Sequence, residues 1–272
     1  MHRKEAAVEP PFSELLGVEV TVPEGIDTDA LGTFTGEIER PGDMLETARI
    51  KAEVGIELTG STLAIASEGA YGPHPFLPYV ASGSELMIWL DTENGIEVYE
   101  ETFVRRSNYT TLVLRPGEPV NTLLERADFP QHALIAMPRV ADPDAPLDPV
   151  KGIRDLRELR QAIRAAGEAS MDGYALVQSD MRAHMNPMRM DAISIVARRL
   201  ASRLLSHCPA CEAPGFGVVR REQGLPCDLC GMPTQLPYHD VLGCTRCTHE
   251  ETELHEGNGR TADPRYCDNC NP

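Results

Sequence analysis

All eight cysteines of the chain fall in residues 208–272, as four Cys-x-x-Cys pairs: Cys208/Cys211, Cys227/Cys230, Cys244/Cys247 and Cys267/Cys270. That spacing makes a tight knuckle with two thiolates aimed at one cation, and two knuckles supply the tetrahedron that zinc prefers. The intervals between pairs are 15, 13 and 19 residues, each long enough for a short hairpin. Pro209, Gly215, Gly231 and Gly243 flank the knuckles, as close backbone approach requires. Two structural zinc ions are therefore expected between Cys208 and Cys270. Four thiolates per ion leave no open position for catalysis.

A disulfide scaffold would need an oxidising compartment. The chain starts Met1-His2-Arg3-Lys4-Glu5 with no apolar stretch behind it, so no signal peptide is expected. A thioredoxin-like redox role would use one such pair, not four. The knuckles can combine sequentially, crosswise or nested. Leu225-Pro226-Cys227 to Cys247-Thr248-His249 reads as one ribbon, which favours nesting, with the outer pairs closing around it. Sequential pairing stands close behind. His207, His239, His249 and His255 are expected at the surface, because eight cysteines already complete two sites.

Charge divides the chain further. Lys and Arg number 25 against 42 Asp and Glu. Residues 1–150 carry 10 basic and 26 acidic side chains, residues 151–206 carry 10 and 6, and residues 207–272 carry 5 and 10. An acidic chain binds nucleic acid poorly, since non-specific affinity comes from cation–phosphate contacts. The cysteine module, with eight thiolates added, is a particularly poor candidate. The basic middle segment is where an anion would go. No run of eighteen apolar residues exists, so no membrane span is expected and the cytoplasm is the expected compartment. The sequence leaves oligomeric state open.

The pattern before the cysteines is α/β with a mixed sheet. A helix is expected over Glu5–Leu16, a strand over Val18–Val22, and a helix from Met44 to Leu58 behind an Asp43 N-cap. A strand over Thr62–Ala66 is expected to end in a Ser67–Pro75 loop. Asn94-Gly95 predicts a hairpin joining Glu85–Leu90 to Ile96–Val104. Strands over Thr110–Leu114 and Ala133–Ala136 precede a proline-rich acidic connector at 141–150. Then come an amphipathic helix over Ile153–Ala166 with an arginine-rich outer face, a strand over Gly173–Gln178, and a helix begun by Asn186-Pro187. The division is an α/β domain over 1–206 and a double zinc-ribbon module over 207–272.

Two polar clusters follow strands, the usual site position in open α/β sheets. The first is Ser67-Glu68-Gly69 with His74. The second is Ser179-Asp180-Met181-Arg182-Ala183-His184-Met185-Asn186-Pro187-Met188-Arg189, where a helix N-terminus and arginine forks suit an anion.

The whole chain resembles an uncharacterised bacterial family, members of which share an Ala-Ser-Glu-Gly loop, an Asp-Met-Arg-Ala-His-x-Asn-Pro stretch and a terminal Cys-x-x-Cys-Asn-Pro. Residues 1–75 also resemble the inosine-triphosphate pyrophosphatase superfamily. Glu46-Thr47-Ala48-Arg49-Ile50-Lys51-Ala52 followed by Ala66-Ser67-Glu68-Gly69 is similar to its helix and metal-holding strand end. Met1-His2-Arg3-Lys4-Glu5 looks like the tail of its triphosphate-cradling motif, so a strand is expected upstream. Arg182 and His184 loosely echo its closing helix. The resemblance implies a magnesium-dependent hydrolase, in the manner of a nucleoside-triphosphate pyrophosphatase, acting on a phosphate ester or anhydride, with a small phosphorylated ligand. Glu46 and Glu68 would hold magnesium, Lys4, Lys51, Arg182 and Arg189 would bind phosphate, and Glu68, Asp180 and His184 would serve the chemistry. The alternative is a non-enzymatic zinc-ribbon adaptor for protein or nucleic acid. One test separates them: whether Glu68 and Arg182 face the same cavity.

Overall fold

The computed structural model describes residues 3–23, 41–74, 77, 79–104, 107–140, 149–257 and 259–272. Met1-His2 and residues 141–148 of the acidic connector lie outside them. The chain divides into two compact units, Met1–Asp91 with Tyr99–Leu200, and Thr92–Val98 with Ala201–Pro272. Among the described residues there are five α-helices and ten strands in three sheets, the α/β pattern expected, with antiparallel pairing wherever the strand register is defined.

The first sheet has the order β1-β2-β3, formed by β1 (Leu63–Pro73), β2 (Ala81–Asp91) and β3 (Ile96–Val104). The β2–β3 turn is the expected Asn-Gly one, with Gly95 at φ 65°. Helix α1 spans Glu5–Leu16 and α2 spans Met44–Thr59. Asp43 caps α2 by accepting from Glu46 N at 2.8 Å. Successive residues of a strand point to opposite faces. Ala64, Ala66, Leu86, Ile88 and Leu90 therefore share one face, packed against Ala48 and Ala52 of α2. Ser67, Gly69 and Tyr71 look the other way with Glu85 and Trp89, where Phe12 of α1 stacks on the indole at 6.0 Å.

Two expectations need correction. Val18–Val22 forms no strand. The β1 strand does not stop at Ala66 but runs unbroken to Pro73, paired with Ala81. Its polar residues sit mid-strand because oppositely charged side chains from neighbouring elements accompany them, as described below.

The second sheet has the order β4-β7-β5-β6, from β4 (Thr111–Leu114), β5 (Leu134–Pro138), β6 (Val150–Ile153) and β7 (Ala175–Ser179). Leu134, Ile153 and Val177 pack there with Leu123 of α3 (Asn121–Ala127) and with Leu159 and Ile163 of α4 (Leu156–Ala169). The α4 helix starts after Asp155, whose carboxylate accepts from Arg157 N and Glu158 N at 2.9 Å. Ile153, expected in that helix, is a β6 residue instead. Arg157, Arg160 and Arg164 line the outer face of α4, as the periodicity implied.

Helix α5 spans Pro187–Leu204. Asn186 is its cap, its Oδ1 accepting from Arg189 N at 3.1 Å. In the second unit β8 (Gly217–Gln223), β9 (Pro237–Gly243) and β10 (Glu250–Leu254) form an antiparallel sheet ordered β10-β9-β8. No described helix is long and apolar enough to cross a membrane.

Candidate metal centres and a charged cluster on the first sheet

The eight thiols gather into two groups of four. Cys208, Cys211, Cys244 and Cys247 form one, and Cys227, Cys230, Cys267 and Cys270 the other, with ligand atoms in each group within 4.8 Å of one another. Cys208 and Cys247 sulfurs lie 3.7 Å apart, Cys211 and Cys244 3.5 Å, Cys230 and Cys267 3.6 Å, and Cys227 and Cys270 3.9 Å. A tetrahedron of sulfurs around zinc, each at about 2.3 Å, has edges of about 3.8 Å. These four separations match that figure, and both groups could hold a metal ion.

The pairing is crossed: first knuckle with third, second with fourth. Nesting, the favoured expectation, is overturned, and so is sequential pairing. The sheet supplies the reason. Gly217 of β8, Gly243 of β9 and Glu250 of β10 share one end, because each of the first and last pairs with Gly243. Gln223, Pro237 and Leu254 lie towards the other end. The knuckle before β8 and the knuckle between β9 and β10 thus meet at one end. The knuckle between β8 and β9 and the one after β10 meet at the opposite end, about 20 Å away at the usual rise of a seven-residue strand.

Backbone bonds set each knuckle. Cys208 N donates to Ala213 O at 2.9 Å, Cys227 N to Met232 O at 2.8 Å, and Cys244 N to His249 O at 3.1 Å. The fourth knuckle is tethered to the second through Asp228 N and Ala262 O at 2.9 Å, and Ala262 N and Pro226 O at 2.8 Å. Within the second group the Met232 N–H, with Cys270 next, holds the Cys230 thiol down to about 6, while the hydrogen bond with Cys230 pushes Cys270 up to about 12, as thiols that share protons do. Neither group includes a histidine. His255 pairs with Asp240 at 2.9 Å and His249 with Glu251 at 3.1 Å.

The first sheet carries the other concentration of functional groups. On the α2 side, Lys51 forms an ion pair with Glu68. On the opposite side, Arg189 Nε donates to Glu85 Oε1 at 2.6 Å, and Tyr71 OH donates to the same oxygen at 2.9 Å. Arg189 also donates to Met181 O. Arg189 and Glu85 are almost wholly buried, at 1% and 0% exposure. Gly69 permits the arrangement, since a Cβ there would lie 2.6 Å from Glu85 Oε1 and 2.8 Å from an Arg189 nitrogen. Glu85 Oε2 is the one buried side-chain oxygen or nitrogen among the described residues with no hydrogen-bond partner.

Lys4, at the start of α1, reaches the same face. Its Nζ donates to Ser67 O and to Ser67 Oγ, each at 3.0 Å. Burial, with the like charge of Arg189 next, pushes this ammonium down to about 8, although Glu85 and Glu68 pull it up. The same surroundings push the Tyr71 phenol upward, by burial first and by Glu85 second.

Of the residues singled out in the sequence, Lys4, Lys51, Glu68 and Arg189 come together around β1. Asp180, Arg182 and His184 gather just before α5 with contacts of their own, and Met181 among them accepts from Arg189. Asp180, wholly buried, accepts from Arg182 Nε at 3.0 Å, Arg182 NH2 at 2.6 Å, and the N–H groups of Arg182 and Gly152 at 3.1 and 3.0 Å. Its carboxylate is thereby committed to a two-point ion pair and the backbone. Burial, then Arg182, lowers the pKa of His184. Glu46 joins neither group. Its carboxylate folds back on Gly42 at the start of α2, the far half of an Asp-x-x-Glu capping arrangement. Glu85 and Tyr71 went unnoticed in the sequence. Glu85 is the acid inside a strand that runs on through Leu86, Met87 and Ile88 and has its other acid, Asp91, at the end, and that interruption is its one signal.

A mixed α/β unit joined to a module with two crossed four-cysteine centres defines the class of protein. Residues 51–272 match the family described as Domain of unknown function (DUF6671), and the chain belongs to that family. No curated protein matches the chain, and no solved structure does.

Proposed function

We propose that the first unit binds a small phosphorylated molecule on the α1 side of β1 and β2 and hydrolyses its ester or anhydride bond, while two zinc ions in the four-cysteine centres serve structure. The observation that carries this reading is a charge imbalance. On that side Lys4 and Arg189 share one carboxylate, Glu85, which Arg189 already holds, while Lys51 and Glu68 balance each other on the α2 side. Lys4 is left over. A desolvated surplus cation is costly, and an anion that completes it recovers that cost. The Lys51–Glu68 pair, which joins the Glu-Thr-Ala-Arg-Ile-Lys-Ala helix to the Ala-Ser-Glu-Gly strand, accords with the pyrophosphatase resemblance and with a nucleotide as substrate.

The magnesium implied by that resemblance fits these residues poorly. Glu68 is engaged by Lys51, Glu46 turns back on Gly42, and Glu85 looks to the other side of the sheet. A hard cation wants converging oxygens. Among the described residues the groups of three or more ligating side chains are the two four-cysteine sets.

Calorimetric titration with pyrophosphate and a phosphate-release panel of nucleotides and phosphomonoesters test the reading. Binding weakened at least about tenfold by Lys4→Met, with release from one panel member, is expected for a charge-assisted contact. No heat and no release would remove it. An adaptor remains the second reading on two observations: Glu68 and Arg182 are engaged by different partners, Lys51 and Asp180, and Leu229, Met232 and Tyr266 stand exposed beside the second four-cysteine centre.

A further inference from the structure

The Lys4–Ser67 contact does more than complete a charge balance. Two carboxylates lie close enough to influence Lys4, yet its side-chain hydrogen bonds go to Ser67 alone among the described residues. Lys51 holds Glu68 and Arg189 holds Glu85. A lysine serving only to neutralise the site would sit on a carboxylate. This one sits 3.0 Å from a hydroxyl oxygen, within reach for a proton transfer. Ser67 is partly exposed, as is Lys4, so a reactant can approach. Ser67 also sits within a long paired strand, which fixes its backbone.

We infer that Ser67 is the nucleophile of this site and Lys4 its general base, a serine–lysine pair that phosphorylates and then dephosphorylates Ser67. This rests on the phosphate reading above. In the first half, Ser67 Oγ bonds to phosphorus as the bond from phosphorus to the leaving oxygen breaks. The hydroxyl proton passes to the Lys4 amine and on to the leaving oxygen. In the second half, water attacks phosphorus and gives its proton to Lys4, the bond from phosphorus to Oγ breaks, and Lys4 returns the proton to Oγ. Phosphate leaves and both side chains are restored, with no outside oxidant or reductant. Lys4 must be an amine to begin. Burial and the nearby guanidinium, which bring it to about 8, make that form accessible in mildly alkaline solution.

The test uses the full chain with a fluorophosphonate, which phosphonylates activated serines whatever the natural leaving group. Intact mass and peptide mapping should find one adduct, on Ser67, at a rate that climbs through about pH 8. Lys4→Met and Lys4→Arg should each slow labelling by about 100-fold or more, the lower range for a lost general base. Lys4→Arg keeps the charge and so separates base catalysis from folding. Ser67→Ala should take no label and still bind pyrophosphate. An adduct elsewhere, no adduct, or a pH-independent rate overturns the serine–lysine pair. Pyrophosphate binding without a Ser67 adduct sinks the pair and leaves the phosphate reading standing. A Ser67 adduct without pyrophosphate binding supports the pair's activation and sinks the phosphate reading, so the substrate class falls with it.

Discussion

The four-cysteine centres of the second unit and the charged cluster of the first are built from opposite kinds of information. Each centre takes its ligands in pairs three positions apart, and each pair is shaped by its own backbone, as by the Gly231 N–H to Cys227 O bond of 2.9 Å. The cluster instead draws one residue from each of five places: Lys4 at the start of α1, Lys51 from α2, Glu68 from β1, Glu85 from β2 and Arg189 from α5. Lys51 and Glu68 are 17 residues apart, and Glu85 and Arg189 are 104 apart. A short repeated spacing states its chemistry outright. A set assembled over a hundred residues does so only after the chain has folded. The energetics differ in the same way. The centres need an external cation to hold four thiolates together, whereas the cluster neutralises most of its charge from within.

That contrast predicts a steep ordering of effects. Stripping metal with a chelator should melt the second unit, because thiolate–zinc binding in small fingers is worth roughly 10–16 kcal/mol and is folding energy. Far-ultraviolet dichroism and hydrogen exchange over residues 201–272 should register the loss, with the second sheet of the first unit retaining its protection. Equal loss of protection in both would erase the distinction between the two regions.

Breaking the cluster should cost less. Arg189→Met strands the buried Glu85 carboxylate and should remove about 3–5 kcal/mol of stability in urea unfolding. Adding Glu85→Gln should restore part of it, since the charge is then gone. A loss below about 1 kcal/mol would mean that water or a rearranged side chain already serves Glu85.

How much of this was legible follows from range. The cysteine pairs, the Asp43 and Asn186 caps and the Asn94-Gly95 turn are local signals, and each formed the element it announced. Pairing of the knuckles is not local, because it is fixed by the sheet. Two antiparallel turns bring the first knuckle to the third, and no spacing rule contains that. The full length of β1 is hidden in the sequence because Ser67, Glu68 and Gly69 look like a loop. In the folded chain Lys51 accompanies Glu68, and Gly69 makes room for the Glu85–Arg189 pair. Arg189 reads as a phosphate ligand from its place near a helix start, but its partner Glu85 carries no such signal inside an otherwise largely apolar strand. Helix α3 lacked a side-chain cap and escaped notice for that reason.

The smallest expected effect is on the pH dependence of stability. Lys4 is lowered in the folded chain from 10.5 to about 8, so between those values the unfolded chain binds more protons. Stability should rise with pH across that window as the folded-state cost of the charge disappears. Subtracting the melting profile of Lys4→Met from that of the wild type isolates this contribution. A flat difference between pH 8 and 10.5 would mean that Lys4 keeps its ordinary proton affinity.

The crossed wiring of the metal centres is tested most directly by the zinc content of two double variants. Cys208→Ser with Cys244→Ser damages a single centre if pairing is crossed, and the purified chain should retain close to one zinc ion. Cys208→Ser with Cys267→Ser damages both, and the content should fall towards zero. The reverse result, one ion in the second variant and none in the first, would contradict crossed pairing and restore the nested arrangement.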